Sequence, residues 1–216
     1  MYQKPPILLD LLHICEFIAM IVGIIKLKSL KNSYWKWLVF YLIYIFMYEI
    51  MTAFFSNDFS KYIEKITSLI QIPLEYTFIY WLFAYKSLNM KKIFWIFTVS
   101  YFITFFLEYH LDNLDRFSFF SLSKVFGALL ILILVIIEFT KQIKSDTILN
   151  FKSDKMFYIN IGVVLFYIGT MPFWALYFKI LEFPEIWNSY YIYFMVSNCI
   201  MYLLFAASFV WGKVKS

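Results

Sequence analysis

Long apolar runs, each close to the length of a bilayer-spanning helix, follow one another along most of this chain. A helix needs about 20 mostly apolar residues to cross a hydrocarbon core of ~30 Å. Seven segments fit that template, at 7–27, 36–55, 65–85, 92–108, 121–139, 156–178 and 188–211, the fourth being the shortest. The runs are continuous, whereas barrel strands alternate over about ten residues between turns, so helices are favoured. The pattern predicts an all-α integral membrane protein, a seven-transmembrane-helix bundle in which residues 1–216 form one transmembrane domain.

Lysines set the orientation of such a bundle, because cytoplasmic connections carry an excess of positive charge. Thirteen fall on one side: Lys26, Lys28, Lys31 and Lys36; Lys86, Lys91 and Lys92; Lys141, Lys144, Lys152 and Lys155; and Lys213 and Lys215 in the tail. The other side holds six basic residues (Lys4, Lys61, Lys65, Arg116, Lys124 and Lys179), accompanied by Asp58, Glu64, Asp112, Asp115, Glu182 and Glu185. The N-terminus is therefore expected outside and the C-terminus in the cytoplasm, with the cell (inner) membrane as the location. Trp35 and Trp37 at the second span, and Trp187 and Trp211 at the two ends of the seventh, match interfacial aromatic belts.

Composition agrees with that reading and removes others. Of 216 residues, 63% are hydrophobic and 24% aromatic, against roughly half apolar in a soluble domain. The formal charge of +5 sits in short connections, where it reads as topology signal and lipid-headgroup contact, and no nucleic-acid partner is expected. Cys15 and Cys199 lie inside apolar segments and form no secreted-type disulfide framework. Pro5 and Pro6 open the first run, Asp10 and Glu16 interrupt it, and no small-x-small cleavage site follows, so the first span reads as retained.

Chemistry is sought among the acids inside the spans, since a carboxylate in hydrocarbon costs several kcal/mol unless paired or hydrated. At 1.5 Å per residue, Glu16, Glu49 and Glu75 lie about 14, 9 and 15 Å from the outer ends of the first three spans. Spans joined by short connections are usually neighbours, which predicts that the three meet in the outer half of the bundle. Thr67, Gln71 and Glu75 recur every fourth residue and share one face of the third span. Asp10, His13 and Glu16 step by three along the first, and Asn198 with Ser197 and Tyr202 marks the seventh. Glu16, Glu49, Glu75, His13, Gln71, Asp10 and Asn198 are thus the candidate ligand or cation site.

The remaining spans supply less. Span five is almost featureless between Gly127 and Ile137 and is expected at the lipid-facing edge, with Glu138 reaching the headgroups. Pro73 and Pro172 predict kinks in the third and sixth spans. Two histidines without a ligand spacing give no basis for haem or metal, and no cofactor is expected. Residues 79–84 echo residues 201–206, in the manner of an internal repeat.

Three functions follow. An outward-facing acidic pocket can bind a small cationic or polar ligand and signal through a cytoplasmic protein docked at Lys141, Lys144, Lys152 and Lys155. Alternatively the same acids form the site of a small facilitator or a cation or proton channel, or the chain is a subunit of a larger membrane complex. Each glutamate can also simply bond a neighbouring tyrosine and hold the helices together. The last span carries Ser197, Asn198 and Cys199 where a retinal protein needs its lysine, and no nucleophile and base stand at a recognisable spacing, so no enzyme is expected.

Overall fold

The computed structural model describes residues 6–54, 60–111, 121–144 and 151–213, with the side chains of residues 6, 52–54, 60–68, 111 and 178 excepted. The side chains of Lys61, Glu64, Lys65 and Thr67, and the charged residues of 1–5, 55–59, 112–120, 145–150 and 214–216, lie outside those described. The described chain is all-helical: α1 (Pro6–Leu30), α2 (Lys36–Phe54), α3 (Ser60–Tyr80) running into the π-helical turns π1 (Trp81–Ser87), α4 (Lys91–Leu111) and α5 (Ser121–Lys144). Next come α6 (Lys155–Val163), the π turns π2 (Val164–Ile168), α7 (Gly169–Ala175), the short α8 (Tyr177–Ile180) and α9 (Pro184–Trp211). Among the described residues, five helices are long and apolar enough to cross a membrane: Ile7–Leu30, Lys91–His110, Ser121–Lys144, Lys155–Ala175 and Pro184–Trp211. Helix α3 carries Gln71, Pro73 and Glu75 through its middle, and the described side chains of α2 end at Met51.

Local chemistry explains where the rods stop. The backbone turns after α1 through bonds from Ser33 N to Leu30 O at 2.8 Å and Trp37 N to Tyr34 O at 3.1 Å. Asn89 takes the left-handed conformation, φ 57°, at the turn into α4, a geometry asparagine tolerates better than most residues. Asp154 caps α6 by accepting from Met156 N at 3.0 Å, and Pro184 occupies the first turn of α9, where its missing N–H costs nothing.

The helices pack as a ring with one loose seam. Helix α9 lies between α1 and α6, α1 packs on α2, and α5 packs on α4, α7 and π2 while also touching α3, π1 and α6. Between α2 and α3, Tyr41 stacks on Phe78, centroids 4.3 Å apart. One end of the bundle gathers the connections expected on the cytoplasmic side. There Ser87 Oγ donates to Glu138 at 2.8 Å, Lys141 Nζ donates to Ser87 O at 2.6 Å, and Lys213 N donates to Ser153 O at 2.8 Å. Tyr34 belongs to the same end, its phenol pushed up to about 12 by burial and then by the Glu138 and Asp154 carboxylates.

Three expectations need correcting. Span five is not an edge helix: Gly127, Ala128, Leu130, Ile131, Leu134 and Val135 are all buried in protein. Apolar residues facing lipid and apolar residues facing a helix look alike in a sequence, and only the small pair Gly127–Ala128 hinted at close approach. Glu138 does not reach outward; it is 2% exposed and bonded to Ser87, with Lys141 3.6 Å away. Lys155 is likewise 2% exposed, its ammonium donating to Ser208 O at 2.9 Å, so it locks α6 to α9 and offers nothing to a docked partner. Lys144 and Lys152 are exposed, and Lys141 is exposed but engaged with Ser87 and Glu138.

Gly127 shows how tightly α5 is held. A Cβ there would stand 2.5 Å from the Tyr76 ring and 3.0 Å from that of Tyr101, while Tyr76 and Tyr80 donate their hydroxyls to the carbonyls of Lys124 and Gly127 at 3.0 and 3.2 Å. Overpacking a close-packed interior typically costs about 1–3 kcal/mol. Gly127→Val is expected to fall at the upper end of that range, read as a lowered melting temperature in nanodiscs, whereas Leu129→Val on an exposed position of the same helix leaves it nearly unchanged.

Candidate functional site

A cavity of about 400 Å³ opens between six of the helices, in the half of the bundle remote from the Glu138 end. Helix α1 contributes Leu9, Leu12 and Glu16; α2 Tyr48 and Glu49; α3 Gln71, Ile72, Glu75 and Tyr76; and α5 Lys124. The far wall is Phe166 and Tyr167 of π2, Thr170 and Trp174 of α7, and Phe194, Met195, Asn198, Met201 and Tyr202 of α9. Five of the residues expected from the sequence therefore line one space: Glu16, Glu49, Gln71, Glu75 and Asn198.

Asp10 and His13 do not line it. A step of three residues turns a helix by 300°, so each step drifts about 60° from the face it started on. Asp10 and His13 sit two steps and one step from Glu16, and Asp10 is exposed on the outside of α1.

The three carboxylates have different surroundings. The Tyr167 hydroxyl donates to Glu75 Oε1. Glu16 is only 3% exposed; the Tyr202 hydroxyl stands beside it, Glu49 and Glu75 repel it, and its Oε2 has no hydrogen-bond partner. Asn198, 9% exposed, likewise leaves Oδ1 without one. Among the described residues no three His, Cys, Asp or Glu side chains converge on a point that would hold a metal ion, so the acids are spread over the walls. Cys15 and Cys199, both free and buried, lie side by side where α1 packs on α9, next to Glu16.

Lys124 is the cavity residue that sequence reasoning misplaced, as an outer-edge charge. Its ammonium lies 3.5 Å from the centroid of the Trp174 ring and acts electrostatically on Glu75 and Glu108. Cation–π contact of this kind is worth about 0.5–2 kcal/mol depending on desolvation. The available sequence signal was position alone: Lys124 is one turn into an otherwise apolar helix.

The wall opposite the acids is a broken helix. Between α6 and α7 the π2 turns widen the backbone, and the Tyr193 hydroxyl donates to Leu165 O at 3.0 Å inside the widened stretch. Gly169 makes room for that ring, since a Cβ there would lie 1.8 Å from the Tyr193 oxygen. Thr170 Oγ1 donates to Phe166 O at 2.6 Å, and Pro172 follows within the next turn. Tyr167, the partner of Glu75, is carried on this π segment, and π turns recur at functional sites because they re-aim side chains without ending the helix.

Comparisons with protein families, with characterised proteins and with solved structures find no match.

A larger groove of about 920 Å³ runs between α2, α3 and α4, along the loose seam of the ring. Its lining is almost wholly apolar or aromatic, including Trp37, Phe40, Leu74, Phe78 and Phe106. Such a surface suits hydrocarbon, while specific recognition needs convergent polar groups, and those are in the smaller cavity.

Proposed function

We propose that this chain is a multi-pass protein of the cell membrane whose seven helices span the bilayer with the N-terminus outside. In this reading the acidic cavity faces outward and binds a small cationic or polar ligand. The observation that carries it is the pair of buried, unpartnered oxygens, Glu16 Oε2 and Asn198 Oδ1, in a cavity that also holds Glu49 and Glu75. A buried acceptor left unmade costs about 1–3 kcal/mol, so a ligand that brings N–H donors and positive charge there recovers that cost.

In the sensing reading the signal passes to a cytoplasmic partner, for which exposed Lys144 and Lys152 at the opposite end offer a basic surface. One observation favours the facilitator reading instead. The helix Lys155–Ala175 is interrupted beside the cavity, as helices at transporter binding sites often are.

Flux of an alkylammonium panel into liposomes containing the purified protein separates the two. Saturable binding without flux is the expected result for a sensor. Saturable flux reassigns the protein as a facilitator, and the absence of both overturns the ligand site.

A further inference from the structure

The cavity is chemically two-ended. At one end, Glu16 and Asn198 present acceptors without donors, and Glu49 adds a second carboxylate that acts on Glu16. At the other end, the Lys124 side chain rests on the Trp174 ring and makes no hydrogen bond to a described residue. Among the described residues its three N–H donors meet no acceptor, while at the far side of the same cavity Glu16 Oε2 and Asn198 Oδ1 meet no donor. Glu75 lies between the two ends, held by Tyr167, and acts on both Glu16 and Lys124.

A simple cation leaves this arrangement half satisfied. It answers Glu16 and Asn198 but brings no acceptor to Lys124, and it meets repulsion from the ammonium if it moves toward Glu75. A bare metal ion fits still less well, because among the described residues no three ligating side chains converge. A molecule with positive charge and N–H donors at one end and an oxyanion at the other satisfies both ends at once.

We propose that the ligand is a small zwitterion, its ammonium group bound by Glu16, Glu49 and Asn198 and its carboxylate or phosphate bound by Lys124 beside Trp174. This rests on the ligand-site reading above and adds the second charge. Charge-assisted hydrogen bonds at both ends make the fit length-dependent, because the walls fix the separation.

The test is thermal stabilisation of the nanodisc-embedded protein by glycine, β-alanine, 4-aminobutyrate and 5-aminovalerate, each beside the alkylamine of the same chain length. One chain length is expected to bind about tenfold or more tighter as the zwitterion than as the amine. That ratio is expected to fall to about one in Lys124→Met and to persist in Lys124→Arg. If Lys124→Met fails to fold, the wild-type ratio and the Arg variant still decide. Amines that bind as well as every zwitterion overturn the inference and leave the ligand site standing. No stabilisation by either series overturns both.

Discussion

Glu108→Ala is expected to cost about 3–5 kcal/mol of stability, because it leaves three buried donors without an acceptor at roughly 1–3 kcal/mol each. Glu108 is 1% exposed at the end of α4 and accepts from Leu122 N at 2.9 Å, from Ser123 N at 2.7 Å and from the Ser123 hydroxyl. The first N–H groups of a helix have no partner within it, and a carboxylate placed there also meets the positive end of the helix dipole. One side chain thus starts α5 and fastens it to α4. Alanine leaves two backbone donors and a hydroxyl without an acceptor, in a place lined by protein. Glu108→Gln keeps one oxygen and is expected to lose less than half as much. Thermal or chemical unfolding in nanodiscs reads both, and a loss below about 1 kcal/mol for the alanine variant contradicts this account of the α4–α5 junction.

Glu16→Gln is expected to weaken binding of an alkylammonium ion by about 10–100-fold, from the 1.5–3 kcal/mol typical of a hydrogen bond to a charged group. The fold should not suffer. Gln has nearly the shape of Glu, Oε2 has no partner to lose, and the repulsion from Glu49 and Glu75 disappears. The melting temperature without ligand is therefore expected to hold or rise. If the variant instead melts earlier and binds as well as wild type, Glu16 is a structural bond to Tyr202 and the cavity is not a cation site.

Most of the helices were legible because hydrocarbon imposes a length on any helix that crosses it, and 18 or more apolar residues in a row have few other uses. The three glutamates were legible for the same reason: an acid at that depth needs company, and rise per residue alone placed Glu16, Glu49 and Glu75 at compatible heights. What sequence could not show is which face of each helix meets protein. Lipid and helix are equally apolar neighbours, so α5 read as an edge although Gly127 and its carbonyl sit against Tyr76 and Tyr80. Asp10 and His13 were grouped with Glu16 by spacing, and the 60° drift per step separated them.

Local backbone departures were equally hidden. Pro172 announced an irregularity, yet the widened turns precede it, at Val164–Ile168, where nothing but Gly169 and the i+4 neighbour Thr170 gave notice. The echo between residues 79–84 and 201–206 does not extend to conformation, since the first crosses from α3 into π1 and the second lies wholly within α9. Lys124 and Lys155 were both counted as boundary charges. Each turned inward because a ring face or a carbonyl, Trp174 or Ser208 O, stands within reach of a long flexible stem.

The measurement that bears most directly on the acidic cavity is a butylammonium titration of melting temperature, run on the wild-type protein in nanodiscs and on the Glu16→Gln, Glu49→Gln double variant. A ligand that binds the folded state alone raises the melting temperature with the logarithm of its concentration once that concentration exceeds Kd. The expected result is a logarithmic rise for wild type and none for the double variant. A flat wild-type curve, or the same rise in both proteins, contradicts it.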